Sequence, residues 1–160
     1  MANILVDALD FKAISRLQQF GRDSWKRLGE LLGITPQAAA DRIHRLEQHG
    51  VIQGYAAVVD PDAVGIHMLA FVAVALDRTR NREQFLERIT SLSEVQECHH
   101  VSGDFDYLLK IRCRGTSDLE RLIAEEIKGT GGVGPTRTIV ALRTMKETAM
   151  LPLVTGPVGG

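Results

Sequence analysis

The sequence has little cysteine, no long apolar run and almost no net charge. Its 160 residues contain two cysteines, Cys98 and Cys113, too few for a disulfide framework. The longest apolar stretch, Met68 to Leu76, has nine residues, against the roughly 20 that a membrane helix requires, so no membrane role is expected. The first residues, Met1-Ala2-Asn3-Ile4, lack the basic flank and apolar core of a secretory signal; a cytoplasmic location is the expectation. Nineteen Lys and Arg against 20 Asp and Glu leave a formal charge of −1, which announces neither a nucleic-acid binder nor a solvating acidic tail. Any electrostatic partner has to be met locally. What is present, 44% hydrophobic and 24% charged residues, is the composition of a folded chain of about one to one and a half domain lengths.

Apolar residues recur at helical spacing through the first fifty residues. Leu9, Ala13, Ile14 and Leu17 mark a first helix that stops at Gly21. Ser24 suits the N-cap of a second, which carries Leu28, Leu31 and Leu32 and stops at Gly33. Thr35 as N-cap and Pro36 at the first helical position open a third, with Ala39, Ile43 and Leu46 on one face and Gly50 at its end. Gly29 falls inside the second helix, where glycine costs about 1 kcal/mol relative to alanine, so close approach of the third helix is expected there.

Beyond Gly50 the period changes. Val51 to Val59 is β-like, and Asp60-Pro61 with Gly65 reads as a connection. Met68 to Leu76, nearly all apolar, reads as a strand covered on both faces. A helix bearing Phe85, Leu86, Ile89 and Leu92 follows, then strands at Val95–Val101 and Tyr107–Cys113 around a Ser-Gly-Asp-Phe-Asp turn. Ser117 with Glu120 forms a capping box for a helix that buries Leu119, Leu122, Ile123 and Ile127, and Thr138 to Met145 closes the set. That order is a ferredoxin-like βαββαβ unit in an α+β chain. Helices cover one face of such a sheet, so a second copy of the protein is the expected cover of the other. The chain accordingly divides into 1–50, a helix-turn-helix unit; 51–65, a β linker; 66–148, the ferredoxin-like domain; and 149–160, a flexible tail with two Pro and three Gly among its last ten residues.

On a helical wheel the third helix turns Gln37, Ala38, Asp41, His44, Arg45 and Gln48 outward, with Arg42 on the flank. Amide, imidazole and guanidinium groups on one face suit base edges and phosphates in a major groove; an ordinary three-helix packing unit would show the same apolar pattern. From Lys12 to Arg45 seven basic residues face three acidic ones, although residues 1–60 as a whole hold seven of each. Phosphate contact needs such a local excess.

The stretches Val6-Asp7-Ala8-Leu9-Asp10, Gly21-Arg22-Asp23-Ser24, Leu31-Leu32-Gly33-Ile34-Thr35-Pro36 and Asp41 through Tyr55 resemble the N-terminal half of the Lrp/AsnC, or feast/famine, transcriptional regulators. Val95-Gln96-Glu97-Cys98-His99, Val101 through Lys110 and Thr136-Arg137-Thr138 resemble the second half, so the likeness runs over about residues 6–148. Departures are local: Arg27 where the family usually has glutamate, Gly29 where it has alanine or serine, and Gly129-Thr130-Gly131-Gly132 before the last strand.

The resemblance implies a sequence-specific regulator that binds double-stranded DNA, with an ACT-like (RAM) domain that dimerises, assembles further to a form such as an octamer, and senses a free amino acid. It selects Thr35, Gln37, Ala38, Asp41, Arg42, His44 and Arg45 as DNA-binding residues. Ser102, Gly103, Asp104, Asp106, Thr136 and Thr138 become the effector-binding set. The chemistry is compatible: a glycine turn exposes N–H groups for a carboxylate, and Asp104 or Asp106 accepts bonds from an ammonium. A tight hairpin with solvated carboxylates has the same sequence.

Other motifs carry less. Cys98 and His100 point to one face of a strand and His99 to the other, and zinc-type spacing is absent, so no metal site or cofactor is expected. Gly129-x-Gly131-x-x-Gly134 follows a helix and precedes a strand, the reverse of a dinucleotide site. Trp25 is a hydrophobic staple or a backbone contact. No catalytic constellation is identifiable, so an enzyme is not expected. The alternative is an amino-acid-binding or assembly module whose helical unit recruits a protein rather than DNA.

Overall fold

A computed structural model of the chain describes residues 5–77 and 82–153. It holds two compact units: one runs up to Val58 and takes in the residues from Glu147 onward, the other is Val59–Lys146.

The helical unit is written in its caps. Helix α1 (Ala8–Gln19) opens on a reciprocal box in which the Asp7 carboxylate accepts the Asp10 N–H at 2.8 Å and the Asp10 carboxylate accepts the Asp7 N–H at 3.0 Å. Helix α2 (Trp25–Leu32) starts with the Ser24 hydroxyl accepting the Arg27 N–H, and stops at Gly33, whose φ of 71° a side chain would resist. Helix α3 (Pro36–Gln48) starts with the Thr35 hydroxyl accepting the Ala38 N–H. Each such cap contributes about 1 kcal/mol. Ala13, Leu17, Leu28, Leu32, Ala39, Ile43 and Leu46 form the core. Gly29 explains itself: a Cβ there would lie 2.8 Å from the Ile34 carbonyl oxygen and 3.1 Å from the Pro36 nitrogen. The close neighbour is the backbone of the turn entering α3.

The second unit is a four-stranded antiparallel sheet, β1 (Met68–Leu76), β2 (Val95–His100), β3 (Tyr107–Cys113) and β4 (Val133–Val140), in the order β2-β3-β1-β4. Helices α4 (Arg82–Ser91) and α5 (Thr116–Arg121) complete the βαββαβ order. The register puts Ala70, Val72 and Val74 beside Ile111, Leu109 and Tyr107, all buried with Phe85, Ile89, Leu119, Leu122 and Ile127. Alternation sends Phe71 and Ala73, with Leu108, Lys110, Arg137 and Ile139, to the opposite face. Within one chain β1 is therefore buried on one face and only partly covered on the other, the face for which a second copy is the expected cover.

Four expectations change. The linker at 51–65 contains a short 3-10 turn at Asp62–Val64 but no strand, because no neighbouring strand in this chain offers it a ladder. Helix α5 is capped by Gly115, one residue before the helix and without a side-chain bond, so Ser117 and Glu120 lie inside it and form no capping box. It widens into a π turn at Leu122–Ile127. The last strand is Val133–Val140 rather than Thr138–Met145, since β1 supplies partners only from Leu76, opposite Val133, to Ala70, opposite Val140. The tail returns to the helical unit: the Gln18 side-chain amide accepts the Leu151 N–H at 2.6 Å and donates to its carbonyl at 3.3 Å. The tail's remaining residues, 154–160, and the N-terminal residues 1–4 lie outside the described part.

Candidate nucleic-acid interface and effector loop

Helix α3 presents Gln37, Ala38, Asp41 and His44 at the surface. Thr35 is exposed too, with its hydroxyl occupied as the cap. Gln37 donates to Asp41 at 2.8 Å, one turn along, and the His44 ring meets the Trp25 ring edge-on at 5.6 Å. Trp25 thus links the start of α2 to the outward face of α3.

The arginines behave differently from these. Arg42 Nη1 donates to Asp7 Oδ2 at 2.7 Å and to Asp10 Oδ1 at 2.6 Å. Arg45 Nη2 donates to Asp10 Oδ2 at 2.8 Å. Asp10 is fully buried, with both oxygens bonded. A buried carboxylate demands such compensation. The hydrogen bonds to Asp10 and then Asp7 raise the Arg42 pKa further. Burial alone would push the Asp7 carboxyl up, but the bond from Arg42 and the Asp10 and Leu9 amides outweigh it and hold the carboxyl below its ordinary value. The local basic excess counted from Lys12 stops short of Asp7 and Asp10, the two acids that α3 uses.

Sequence reasoning missed Asp10. The signal was there: Asp10, Ala13 and Leu17 share the buried stripe of α1, so an acid occupies a position where the helical period calls for an apolar residue. Two arginines three residues apart on α3 supply its counter-charge. Tyr55 is a second residue to which the sequence pattern assigns no role. Its hydroxyl donates to Glu47 at 2.9 Å, and burial with that bond pushes its pKa up to about 12, fastening the linker to the end of α3.

In the sheet unit Ser102, Gly103 and Asp104 form an exposed turn with Gly103 at φ 121°. Asp106 is half-buried and committed: its Oδ2 accepts the Leu76 N–H at 2.7 Å, and its own N–H donates to the Val74 carbonyl at 2.9 Å. Asp104 is the exposed carboxylate of the pair. Thr136 pairs with Val74 across the ladder, so Asp106 and Thr136 flank the same end of β1. Thr138, opposite Val72, lies apart from the turn in an open groove with Leu119, Ile123, Glu120 and Lys128. Among the described residues the Tyr107 hydroxyl, one residue past Asp106, is buried without a hydrogen-bond partner, a polar atom no sequence pattern reveals. Cys98 and His100 share the helix-covered side of β2, while His99 and Glu97 lie on the other, where Glu97 bonds Lys110.

Two family profiles match the chain: the AsnC-type helix-turn-helix domain over residues 6–47 and the Lrp/AsnC ligand binding domain over residues 69–151. A leucine-responsive regulatory protein from Haemophilus influenzae is 38% identical over 153 residues, spanning 94% of this chain and 92% of the relative. A transcriptional regulator from Neisseria meningitidis, solved as a complex with L-methionine, superposes with a TM-score of 0.87 at 27% identity, covering 92% of this chain and 97% of that one. A feast or famine regulatory protein from M. tuberculosis complexed with L-methionine gives 0.84 at 31% identity, with 92% and 99% covered.

Proposed function

The chain belongs to the Lrp/AsnC family of DNA-binding, ligand-sensing transcriptional regulators, and from that premise we propose which of its residues read DNA and what it senses. Helix α3 enters the major groove, with Thr35, Gln37, Ala38, Asp41, His44 and Arg45 toward the bases and backbone and Arg42 on the flank. The observation that carries this reading is a capped α2–turn–α3 whose second helix leaves Gln37, Asp41 and His44 exposed beside two guanidiniums. The effector is a free amino acid, held near the exposed turn of Ser102, Gly103 and Asp104, with Asp106 and Thr136 at the neighbouring end of β1 and Thr138 farther along β4. The L-methionine complexes of two similar regulators support that ligand class. The protein acts in the cytoplasm as a dimer or higher assembly, such as an octamer, in which a second copy covers the open sheet face of Phe71, Ala73, Leu108 and Ile139. It is a regulator and carries out no reaction of its own.

Fluorescence anisotropy with DNA from upstream of its own gene and a scrambled duplex, with and without the twenty amino acids, tests this. The expected result is a preference for the upstream duplex that shifts when amino acids are added. Preference without a shift would remove the amino-acid reading. Ligand binding with no affinity for any DNA would favour an assembly module instead.

A further inference from the structure

Among the described residues, α3's two arginines are tethered unequally to one buried carboxylate. Arg42 spends a single nitrogen on two acids and is 22% exposed; Arg45 is bonded through Nη2 alone and is 42% exposed. Asp10 sits between them with no exposed surface and with both oxygens and the Asp7 N–H in use. The same two acids close the capping box of α1. The box that starts the first helix is thus also the clamp on the third.

We propose that Asp10 is a positioning residue for DNA reading, holding the Arg45 guanidinium in a fixed orientation, and that Arg42 is the strut that keeps Asp10 in place. This rests on the reading of α3 as the DNA-facing helix. An untethered arginine loses rotamer freedom when it meets a base, whereas one already held by a carboxylate has lost it beforehand. Tethering through Nη2 leaves Nε and Nη1 outside the bond, enough donors for a base edge or a phosphate. The acid has a second consequence. It offsets positive charge on this flank, which weakens attachment to DNA of any sequence, so the clamp exchanges general affinity for discrimination.

The test compares Asp10→Asn with wild type on a duplex that the wild-type protein selects from a random-sequence pool and on a scrambled duplex of the same composition, at several salt concentrations. Asp10→Asn should lose about tenfold of the preference for the selected duplex while binding the scrambled one as well as wild type or better. Arg45→Ala should lose a similar preference, and the double variant should lose no more than Arg45→Ala alone, because Asp10 acts through Arg45. An Asp10→Asn protein that keeps its preference, or weakens equally on both duplexes, overturns the proposal. If wild type selects no duplex at all, the DNA reading itself has failed. Should Asp10→Asn not fold, nitrogen-detected NMR of wild-type arginine side chains decides: slow rotation at the Arg45 guanidinium is expected, and free rotation overturns the clamp.

Discussion

The helical unit and the sheet unit solve the problem of holding a site in opposite ways. In the first, each of the three helices is started by a side chain, Asp7, Ser24 and Thr35, and α2 is stopped by a left-handed glycine. The buried charge there is closed into a network with partners on α3. In the second, α5 starts without a side-chain cap and widens into a π turn, and two ladders shift register, between Val74 and Leu76 and between Val95 and Glu97. The first of these shifts lies at the end of β1 where Asp106 and Thr136 attach. Bulges and π turns concentrate where a strand or helix must re-aim groups. In the proposed reading, the surface that meets a fixed groove is built from locally specified, regular pieces, and the sheet end assigned to a small ligand is built from irregular ones.

The sharpest way to break this comparison is at Gly29. Alanine there gains about 1 kcal/mol of helix propensity, but its Cβ would meet main-chain atoms of the turn, which cannot rotate aside. Overpacking against a rigid neighbour costs about 1–3 kcal/mol, so Gly29→Ala should lower stability by a net of up to about 2 kcal/mol. Thermal unfolding followed by Trp25, the one tryptophan, reads this directly, and its contact with His44 should change with the helix angle. A Gly29→Ala protein more stable than wild type would mean that the turn relaxes freely and that α3 is not rigidly placed.

The same contrast governs what could be read from the sequence. Ser24, Gly33, Thr35 and Pro36 announce α2 and α3 because caps act over three or four residues. The apolar stripe on α3 then gives its outward face. The end of β4 is invisible locally: Thr138 to Met145 looks like a strand, yet pairing runs only as far as β1 offers partners, so the strand begins at Val133. Ser117 with Glu120 looks like a capping box, yet α5 already starts at Thr116. The Arg45 donor was legible as an exposed cation. Its tether to Asp10 was not, because that contact joins residues 35 positions apart.

Removing the Asp106 carboxylate sharpens the sheet side. Asp106→Ala leaves the half-buried Leu76 N–H without its acceptor, a loss of about 1 kcal/mol for a group that water can partly reach. Amide hydrogen exchange should show protection lost at Leu76 and kept along α3. Asp106→Asn retains an acceptor oxygen and should retain much of the protection. If Asp106→Ala leaves Leu76 protected, the register shift is held by the ladder alone, and Asp106 is freed for the effector.

The smallest effect isolates charge from capping in the helical unit. Asparagine caps a helix about as well as aspartate, so Asp7→Asn keeps the start of α1 and removes only the charge facing Arg42. The Asp7 side chain is 46% exposed, and a pair so accessible is screened to less than about 1 kcal/mol. The folded carboxyl lies below its ordinary value, so its contribution is fully present above the unfolded value of about 3.9 and is lost as pH falls through the lower folded value. The urea midpoints of wild type and Asp7→Asn should therefore differ by a constant small amount above about pH 5 and converge below about pH 4. Added salt should shrink the gap. A gap that widened on acidification would place the stabilising form of Asp7 on the protonated side, and the carboxylate clamp between α1 and α3 would have to be abandoned with it.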